Sequence, residues 1–307
     1  MPIHDLGYRA WNGELTSPLL RWWTLAHTGI RLAWRSPWLR RILILAWTPL
    51  LYFGATFFVY EYAVVQDSAG MGGANLMRSI GFIPDEVVES VAKDPVEARP
   101  QVWAYLLLNF FRAPQAILMV LMVGLIAPGM IGGDLRTRAF LLYFARPITE
   151  IEYLAGKATV VCFYVFLITT LPALVIYSVG IALSPSLSVL LDTWHLPFRI
   201  LIGSVVLMLP TTMLALAFSS LTTESRYAGF AWFAVWVLGW VAYLLLLQLD
   251  RTWPLLSLFH TVGVVQSWIF GFGDLPINPM IPSLLLALLT GASFCVLYRR
   301  ISAPMRT

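Results

Sequence analysis

The chain has 307 residues, of which 59% are hydrophobic and 12% charged, with a formal net charge of +4. Soluble domains average roughly 45–50% apolar and 25% charged residues, so this composition excludes an ordinary soluble fold. Several apolar runs reach the roughly 20 residues that a helix needs to cross a bilayer. Lipid is therefore the expected solvent for most of the chain, and the basic residues are expected to set membrane orientation rather than to bind nucleic acid.

Residues 18–35 place apolar and basic side chains on opposite sides of a helical pattern. Trp22, Ala26 and Ile30 recur at helical spacing, whereas Arg31 falls on the other side. The pattern predicts an amphipathic helix in the membrane interface that ends before Ser36-Pro37. Two roles remain open for this helix, a plain anchor and the transmission of motion. The residues assigned to the interface are Arg31, Trp34 and Arg35.

Six apolar segments that follow this helix are long enough to span a membrane. They are predicted at Ile42–Tyr62, Pro114–Ile131, Ala158–Leu183, Pro197–Ser219, Ala228–Leu249 and Ile281–Tyr298. The predicted fold class is therefore an all-α membrane protein with six transmembrane helices. Residues 42–298 form one transmembrane domain in this prediction.

The basic residues are unevenly distributed between the two sides of these spans. Fourteen of the 20 Lys and Arg residues flank one side. Flanks that are rich in Lys and Arg stay in the cytoplasm. We therefore expect residues 1–41 (the N-terminus with the interfacial helix) and the tail 299–307 to be cytoplasmic, in a multi-pass protein of the inner cell membrane.

Two segments between the spans need their own interpretation. Residues 63–113 are predicted to be external, with a short helix that starts at Pro84-Asp85-Glu86, where acidic residues face the positive end of the helix dipole. Residues 253–272 are mainly apolar but interrupted. A seventh span there would move the basic residues near the C-terminus to the outside, so this segment is predicted to be re-entrant or interfacial and packed against other spans.

The loop at residues 132–157, between spans 2 and 3, combines apolar and charged residues in a helix, break, helix pattern. Residues 140–144 are aromatic or aliphatic and have arginines on both sides, Arg146-Pro147 ends the first helix, and Thr149 caps the next. An apolar centre with a charged rim is typical of a protein docking surface. The alternative is that this patch lies among lipid headgroups.

The same loop resembles type-2 ABC exporter permeases. The resemblance rests on Gly-Asp-Leu-Arg from Gly133 and on Ala-Arg-Pro-Ile-Thr-x-x-Glu-Tyr-Leu-x-Gly-Lys, which ends at Lys157. It implies a cytoplasmic coupling helix between spans 2 and 3, a separate ATP-binding subunit, and a second permease copy, identical or paralogous. The residues that it assigns to coupling are Asp134, Arg136, Arg138, Phe140, Tyr143, Arg146, Pro147, Glu150 and Lys157.

The sequence carries no motif for ATP hydrolysis or for hydrolytic or metal chemistry. A phosphate loop has the form GxxxxGK[ST], but Ile151 and Ala158 occupy the first glycine and hydroxyl positions around Gly156-Lys157. No HExxH or GxSxG motif is present, and the four histidines and two cysteines lack metal-ligand spacing. We therefore expect no enzymatic activity, metal or cofactor in this chain, and expect ATP and Mg²⁺ in the partner subunit.

Two pairs of threonines lie beside prolines in the middle of predicted spans. Pro172 follows Thr169-Thr170 in span 3, and Pro210 precedes Thr211-Thr212 in span 4. Kinked helices with polar groups at mid-depth are candidates for a translocation path, although helix packing explains hydroxyl residues equally well. The expected function is the permease subunit of an ATP-driven exporter of unspecified cargo. An ion-coupled secondary transporter and a non-transporting membrane scaffold remain alternatives.

Overall fold

A computed structural model describes residues 20–66, 77–78, 83–115, 117–139, 148–184, 186–246, 253–272 and 277–302. Within these ranges the regular structure is helical throughout, and six helices are long and apolar enough to cross a membrane. The prediction of an all-α membrane protein is confirmed.

The helices are numbered in chain order. They are α1 Arg21–Trp34, α2 Pro37–Ala46, α3 Pro49–Phe58, α4 Asp85–Lys93, α5 Arg99–Arg112, α6 Leu118–Ile126, α7 Pro128–Thr137, α8 Glu150–Val165, α9 Leu171–Leu183, α10 Val189–Thr193, α11 His195–Leu221, α12 Ser225–Leu246, α13 Leu258–Phe270 and α14 Met280–Ser302. Two π-helical segments, Val59–Gln66 and Phe166–Thr170, and two short 3₁₀ segments, Ala113–Gln115 and Trp253–Leu256, complete the set.

Six composite helices correspond to the predicted spans. Span 1 is Pro37–Tyr62, span 2 Leu118–Thr137, span 3 Glu150–Leu183, span 4 Val189–Leu221, span 5 Ser225–Leu246 and span 6 Met280–Ser302. Most of these helices extend beyond the predicted limits. Span 1 begins earlier because Ser36 accepts a hydrogen bond from the Leu39 N–H and Pro37 starts the first turn.

The end of span 2 differs most from the sequence-based prediction, which ended the span at Ile131. The helix continues through Gly132 and Gly133 to Thr137. Ser219 of span 4 accepts from the N–H groups of Ile131 and Gly132 at 3.0 and 3.1 Å and donates to the Pro128 carbonyl at 2.9 Å. These bonds stabilise the helical turn that the glycines alone would weaken.

Spans 1 and 3 are both interrupted, and one hydrogen bond joins the two interruptions. In span 3 the Leu171 N–H donates to the Phe166 carbonyl, and Pro172 has no N–H, so the Leu167 carbonyl is available to another partner. The indole Nε1 of Trp47, at the break between α2 and α3, donates to that carbonyl at 3.1 Å. Span 1 therefore supports span 3 at its proline.

The segment after span 1 folds onto the bundle through α4 and α5. The helix predicted from Pro84 is present as Asp85–Lys93, with Val87, Val88 and Val91 buried. In α5, Arg99 forms an ion pair with Glu61 of span 1 at 3.1 Å. We call this end of the bundle the α5 end. The opposite end, which carries α1 and the residues between spans 2 and 3, is the α1 end.

The segment at residues 253–272 forms a 3₁₀ turn and α13, which is too short to be counted among the spans. Helix α13 contacts spans 4, 5 and 6 as well as α5. The side chain of Arg199 in span 4 donates to the Phe270 carbonyl at the end of α13. The expectation that this segment packs against other spans agrees with these contacts.

Candidate functional site

The base of the loop between spans 2 and 3 is closed by an ion pair. Lys157 Nζ lies 2.7 Å from Asp134 Oδ2, and the Tyr153 hydroxyl donates to the same oxygen at 2.7 Å. Lys157 also donates to the Met130 carbonyl at 2.8 Å. The side chains of Lys157 and Asp134 are only 12% and 18% exposed, so solvent screens this pair weakly. The ion pair fixes the last turn of span 2 to the first turns of span 3.

Span 3 starts with a capping box next to this ion pair. The Thr149 hydroxyl accepts from the Glu152 N–H at 3.3 Å, and the Glu152 carboxylate accepts from the Thr149 N–H at 2.8 Å. Glu150 occupies the first turn, partly buried. The capping role that the sequence predicts for Thr149 is confirmed, and the cap gives the loop a defined exit point.

Arg136 and Arg138 lie at the other side of the loop base, where span 2 ends. Both side chains are exposed, and Arg138 adopts a left-handed backbone conformation with φ of 54°. An αL residue commonly ends a helix by turning the chain away from the axis. The two guanidinium groups are therefore available to a partner at the α1 end of the bundle.

Four of the residues assigned to coupling lie outside the described residues. They are Phe140, Tyr143, Arg146 and Pro147. Their assignment to a coupling helix stays a prediction. The described residues include the two ends of the loop, which the ion pair between Asp134 and Lys157 holds together.

Helix α1 packs on span 3 beside the same loop base. The Tyr164 hydroxyl donates to the Ile30 carbonyl at 2.7 Å. At Gly156 a Cβ atom would lie 2.9 Å from Leu25 Cδ2 and 3.0 Å from the Trp22 carbonyl oxygen, so only glycine permits this approach. Helix α1 and the loop are therefore both attached to the first half of span 3.

The three residues assigned to the interfacial role lie at the C-terminal end of α1. Arg31, Trp34 and Arg35 are exposed, whereas Ala26 is buried against the bundle. Ala26 and Arg31 therefore differ in exposure, whereas the amphipathic character of the helix stays a prediction. The position of α1 in a membrane interface stays a prediction.

The four threonines of the proposed path are buried between spans 3 and 4. Thr170 shares a hydrogen bond of 2.6 Å with Ser204, and Thr169 donates to the Val165 carbonyl at 2.8 Å. Thr211 donates to the Leu207 carbonyl at 2.6 Å, and Thr212 contacts Cys162 Sγ at 3.4 Å. The structure brings these hydroxyls to one helix interface, where local bonds satisfy them. Their role in a path stays a prediction.

Sequence reasoning missed two polar contributors. The sequence assigns no role to Glu61, yet this residue is fully buried and paired with Arg99. The sequence identified Tyr153 only as part of the loop motif, although its hydroxyl donates a hydrogen bond to the Asp134 carboxylate. The signal for Tyr153 was its position four residues before Lys157, which puts both side chains on one face of a helix. Among the described residues, no cluster of potential metal ligands is present.

Comparison with known protein families identifies the family to which this chain belongs. The sequence model of the ABC-2 family transporter proteins matches residues 23–251, which is more than half of the chain. A comparison with curated proteins found no match. The matched region contains α1 from residue 23 onwards, spans 1 to 5 and the Asp134–Lys157 ion pair. The chain therefore belongs to the ABC-2 transporter family and is a multi-pass membrane permease of an ABC transporter.

Proposed function

We propose that this permease is the membrane part of an ATP-driven exporter and docks a separate ATP-binding subunit on the loop between spans 2 and 3. The observation that carries the proposal is the ion pair at the base of that loop. Because Asp134 and Lys157 are bonded at 2.7 Å, a force on the loop acts on spans 2 and 3 together. The ion pair thereby links the base of the loop, and any partner bound to the loop, to both spans.

Helix α1 is a second element of this link. It contacts span 3 through Gly156, which directly precedes Lys157, and through Tyr164, about two turns beyond Lys157. A displacement of the start of span 3 therefore moves α1 as well. This supports a role for Arg31, Trp34 and Arg35 in transmitting motion, beyond anchoring the chain.

ATP hydrolysis is assigned to the partner. The sequence has no GxxxxGK[ST] loop to hold nucleotide phosphates. We therefore propose that ATP and Mg²⁺ bind the separate subunit. The energy of hydrolysis reaches the permease through the loop and α1, which face the cytoplasm in the orientation that the basic residues favour.

The translocation path is proposed along the threonines between spans 3 and 4. Thr169, Thr170, Thr211 and Thr212 are fully buried in this conformation, so cargo reaches them only if the two spans separate. The π-helical turn before Pro172 is a point at which span 3 can bend. A second permease copy, identical or paralogous, completes the transporter in this proposal.

The test is nucleotide hydrolysis by the complex that co-purifies with the tagged chain. Phe140→Ala and Arg146→Ala should each weaken assembly or lower hydrolysis, because truncating an aromatic or arginine anchor costs roughly 2 kcal/mol or more. Asp134→Lys should lower hydrolysis, and adding Lys157→Asp should restore part of it by re-forming the ion pair. Lys93→Ala, which removes an exposed charge at the α5 end, is the control.

The proposed docking site is wrong if both loop variants assemble and hydrolyse ATP like the parent while Arg31→Ala or Trp34→Ala abolishes hydrolysis. That outcome would move the contact to α1. Nucleotide hydrolysis by the purified chain alone would remove the reason for a separate ATP-binding subunit.

A further inference from the structure

Helix α5 lies inside the bundle at the α5 end and not on its surface. Leu106, Leu107 and Leu108 are consecutive residues of this helix, and all three are buried. Because adjacent residues of a helix point about 100° apart, neighbouring elements must enclose α5 on more than one side. These neighbours are spans 1, 3 and 4 and helix α13. Helix α5 therefore fills the space between them.

The contacts with span 1 show that α5 runs from the end of the bundle towards its middle. Arg99, the first residue of α5, pairs with Glu61 at 3.1 Å. Near the other end of α5, the ring of Phe110 packs edge-on against Phe53, with 5.3 Å between the ring centroids. Phe53 precedes Glu61 by eight residues, which is about 12 Å along a helix. Helix α5 thus enters the bundle antiparallel to span 1.

Helix α5 covers the polar contact between spans 3 and 4. Thr170 and Ser204 share a hydrogen bond of 2.6 Å and are 0% and 3% exposed. Helix α5 contacts the π-helical segment that ends at Thr170. On span 4, a Cβ atom at Gly203 would lie 4.0 Å from Phe111 Cε1. The proposed path along the threonines is therefore closed by α5 on this side.

No gap for cargo remains between α5 and span 3. A Cβ atom at Gly180 of span 3 would lie only 2.9 Å from Trp103 Cη2. The indole Nε1 of Trp103 donates to the Glu61 carboxylate at 2.9 Å, so this ring is held in place from span 1. Cargo that passes between spans 3 and 4 towards the α5 end must displace α5.

The two ends of α5 are suited to such a displacement. A 3₁₀ turn at Ala113–Gln115 separates α5 from span 2, and Pro114 in this turn has no N–H for a continuous helix. At the start of α5, the attachments to span 1 are polar. The Tyr60 hydroxyl donates to the Pro95 carbonyl at 2.6 Å, beside the Glu61–Arg99 pair. Water can replace these bonds when α5 moves out.

We propose that α5 is a movable plug, which closes the path between spans 3 and 4 at the α5 end and is displaced when cargo passes. This inference rests on the proposed translocation path. The alternative is a fixed core helix. A fixed helix has no need of a buried ion pair, because well-packed apolar residues of similar volume hold a core equally well or better. The Glu61–Arg99 pair instead gives α5 an attachment that solvent can replace.

The test is the labelling rate of a single cysteine at Ser204 in full-length protein that lacks Cys162 and Cys295. The protein is held in nanodiscs, below its unfolding midpoint, and treated with a charged maleimide. We expect slow labelling in the parent, about fivefold faster labelling in Tyr60→Phe, and about tenfold faster labelling in Glu61→Gln. The first change removes a neutral hydrogen bond from the closed state, and the second removes a charge-assisted one.

Matched controls are Tyr62→Phe and Glu89→Gln, which change exposed residues of span 1 and α4 and should leave the rate unaltered. A single cysteine at Val160, buried at the α1 end next to Gly29, reports general loosening of the bundle. Its labelling should stay slow in every variant. Tyr60→Phe keeps the buried ring and the Glu61–Arg99 pair, so the test stands even if Glu61→Gln fails to fold.

Equal labelling of Ser204 in the parent, Tyr60→Phe and Glu61→Gln would overturn the plug. A parallel increase at Val160 would overturn it too, because packing would then be lost throughout the bundle. Fast labelling of Ser204 in the parent would show that the path is open with α5 in place. No ATP-binding subunit takes part in these measurements, so their outcome is independent of where that subunit docks.

Discussion

The Glu61 carboxylate lies at the end of span 1 with no exposure to solvent. It accepts hydrogen bonds from Arg99 at 3.1 Å, from the Trp103 indole at 2.9 Å and from the Ser184 hydroxyl at 3.2 Å. These donors belong to α5 and to the end of span 3. A buried charge is tolerated only when it is paired and hydrogen-bonded, and Glu61 meets both conditions. One carboxylate therefore joins span 1, span 3 and the segment between spans 1 and 2.

Replacing this carboxylate should destabilise the whole α5 end. Glu61→Gln leaves the Arg99 guanidinium buried without its counter-ion, at a cost of roughly 3–5 kcal/mol. We expect a clearly lower thermal unfolding midpoint for the detergent-solubilised protein. Glu224→Gln removes the acid of an exposed ion pair, Arg226–Glu224 at 3.8 Å, and should leave the midpoint nearly unchanged. Equal midpoints for both variants and the parent would contradict a structural role for Glu61.

The contact between the elements α1 and span 3 depends on the absence of a side chain at Gly156. Gly156 brings the backbone of α8 next to Leu25 and Trp22 of α1. Close packing of this kind tolerates added volume poorly. In contrast, Gly54 in span 1 has no atom within 4 Å of the position that a Cβ would take. The two helical glycines form a matched pair for a substitution experiment.

Gly156→Ala should displace α1 from span 3, with a loss of about 1–3 kcal/mol from overpacking. Gly54→Ala should be neutral or stabilising by about 0.5–1 kcal/mol, because alanine favours a helix over glycine. Trypsin cleavage after Arg31 and Arg35 reports the attachment of α1 and should become faster only in the first variant. Unchanged cleavage in Gly156→Ala would show that α1 does not rely on this contact.

Element boundaries show how far the sequence determines the structure. The start of span 3 was predictable because the Thr149 capping box is a local signal that needs no distant partner. The end of span 2 was not, because Ser219, which is remote in sequence, holds Gly132 in the helix. Likewise the pairing of Glu61 with Arg99 joins residues 38 positions apart, and no local pattern reveals it. The local sequence therefore predicts helix caps, whereas the helix ends that depend on tertiary contacts cannot be predicted from it.

For the whole molecule, the six spans were predictable from apolar length together with the distribution of basic residues, which argued against a seventh span at residues 253–272. For the candidate site, the sequence predicted which residues belong to it but not how they contact one another. The motif named Asp134 and Lys157, but their bond to each other and to Tyr153 depends on the antiparallel packing of spans 2 and 3. An apolar groove lined by Val120 of span 2 and Trp236 of span 5 arises in the same way, from two spans that are distant in sequence.

The predicted orientation can be measured with single cysteines in a background that lacks Cys162 and Cys295. Cysteines at Glu89, Thr137 and Thr307 would be treated with an impermeant thiol reagent on intact cells. Only position 89, on the exposed side of α4, should react, because Thr137 and Thr307 are predicted on the side with more Lys and Arg. Labelling at 137 would invert the orientation. Labelling at 307 alone would mean that the segment around α13 crosses the membrane.

We propose that the loop whose ends are joined by Asp134 and Lys157 receives a separate ATP-binding subunit. Arg138 is the most direct place to test it, because it is exposed at the start of the loop and its αL conformation directs the chain away from span 2. A photoreactive amino acid at this position samples whatever the loop contacts in the cell. The same group at Lys93, on the opposite end of the bundle, is the control.

Photocrosslinking in cells followed by mass spectrometry should join position 138 to a soluble protein that contains GxxxxGK[ST]. Position 93 should not reach that protein. The yield should fall when Asp134→Lys breaks the ion pair and should recover in part when Lys157→Asp is added. Crosslinks from position 138 to lipid alone, with the ATP-binding protein captured from Trp34 instead, would show that the subunit docks on α1 and not on the loop.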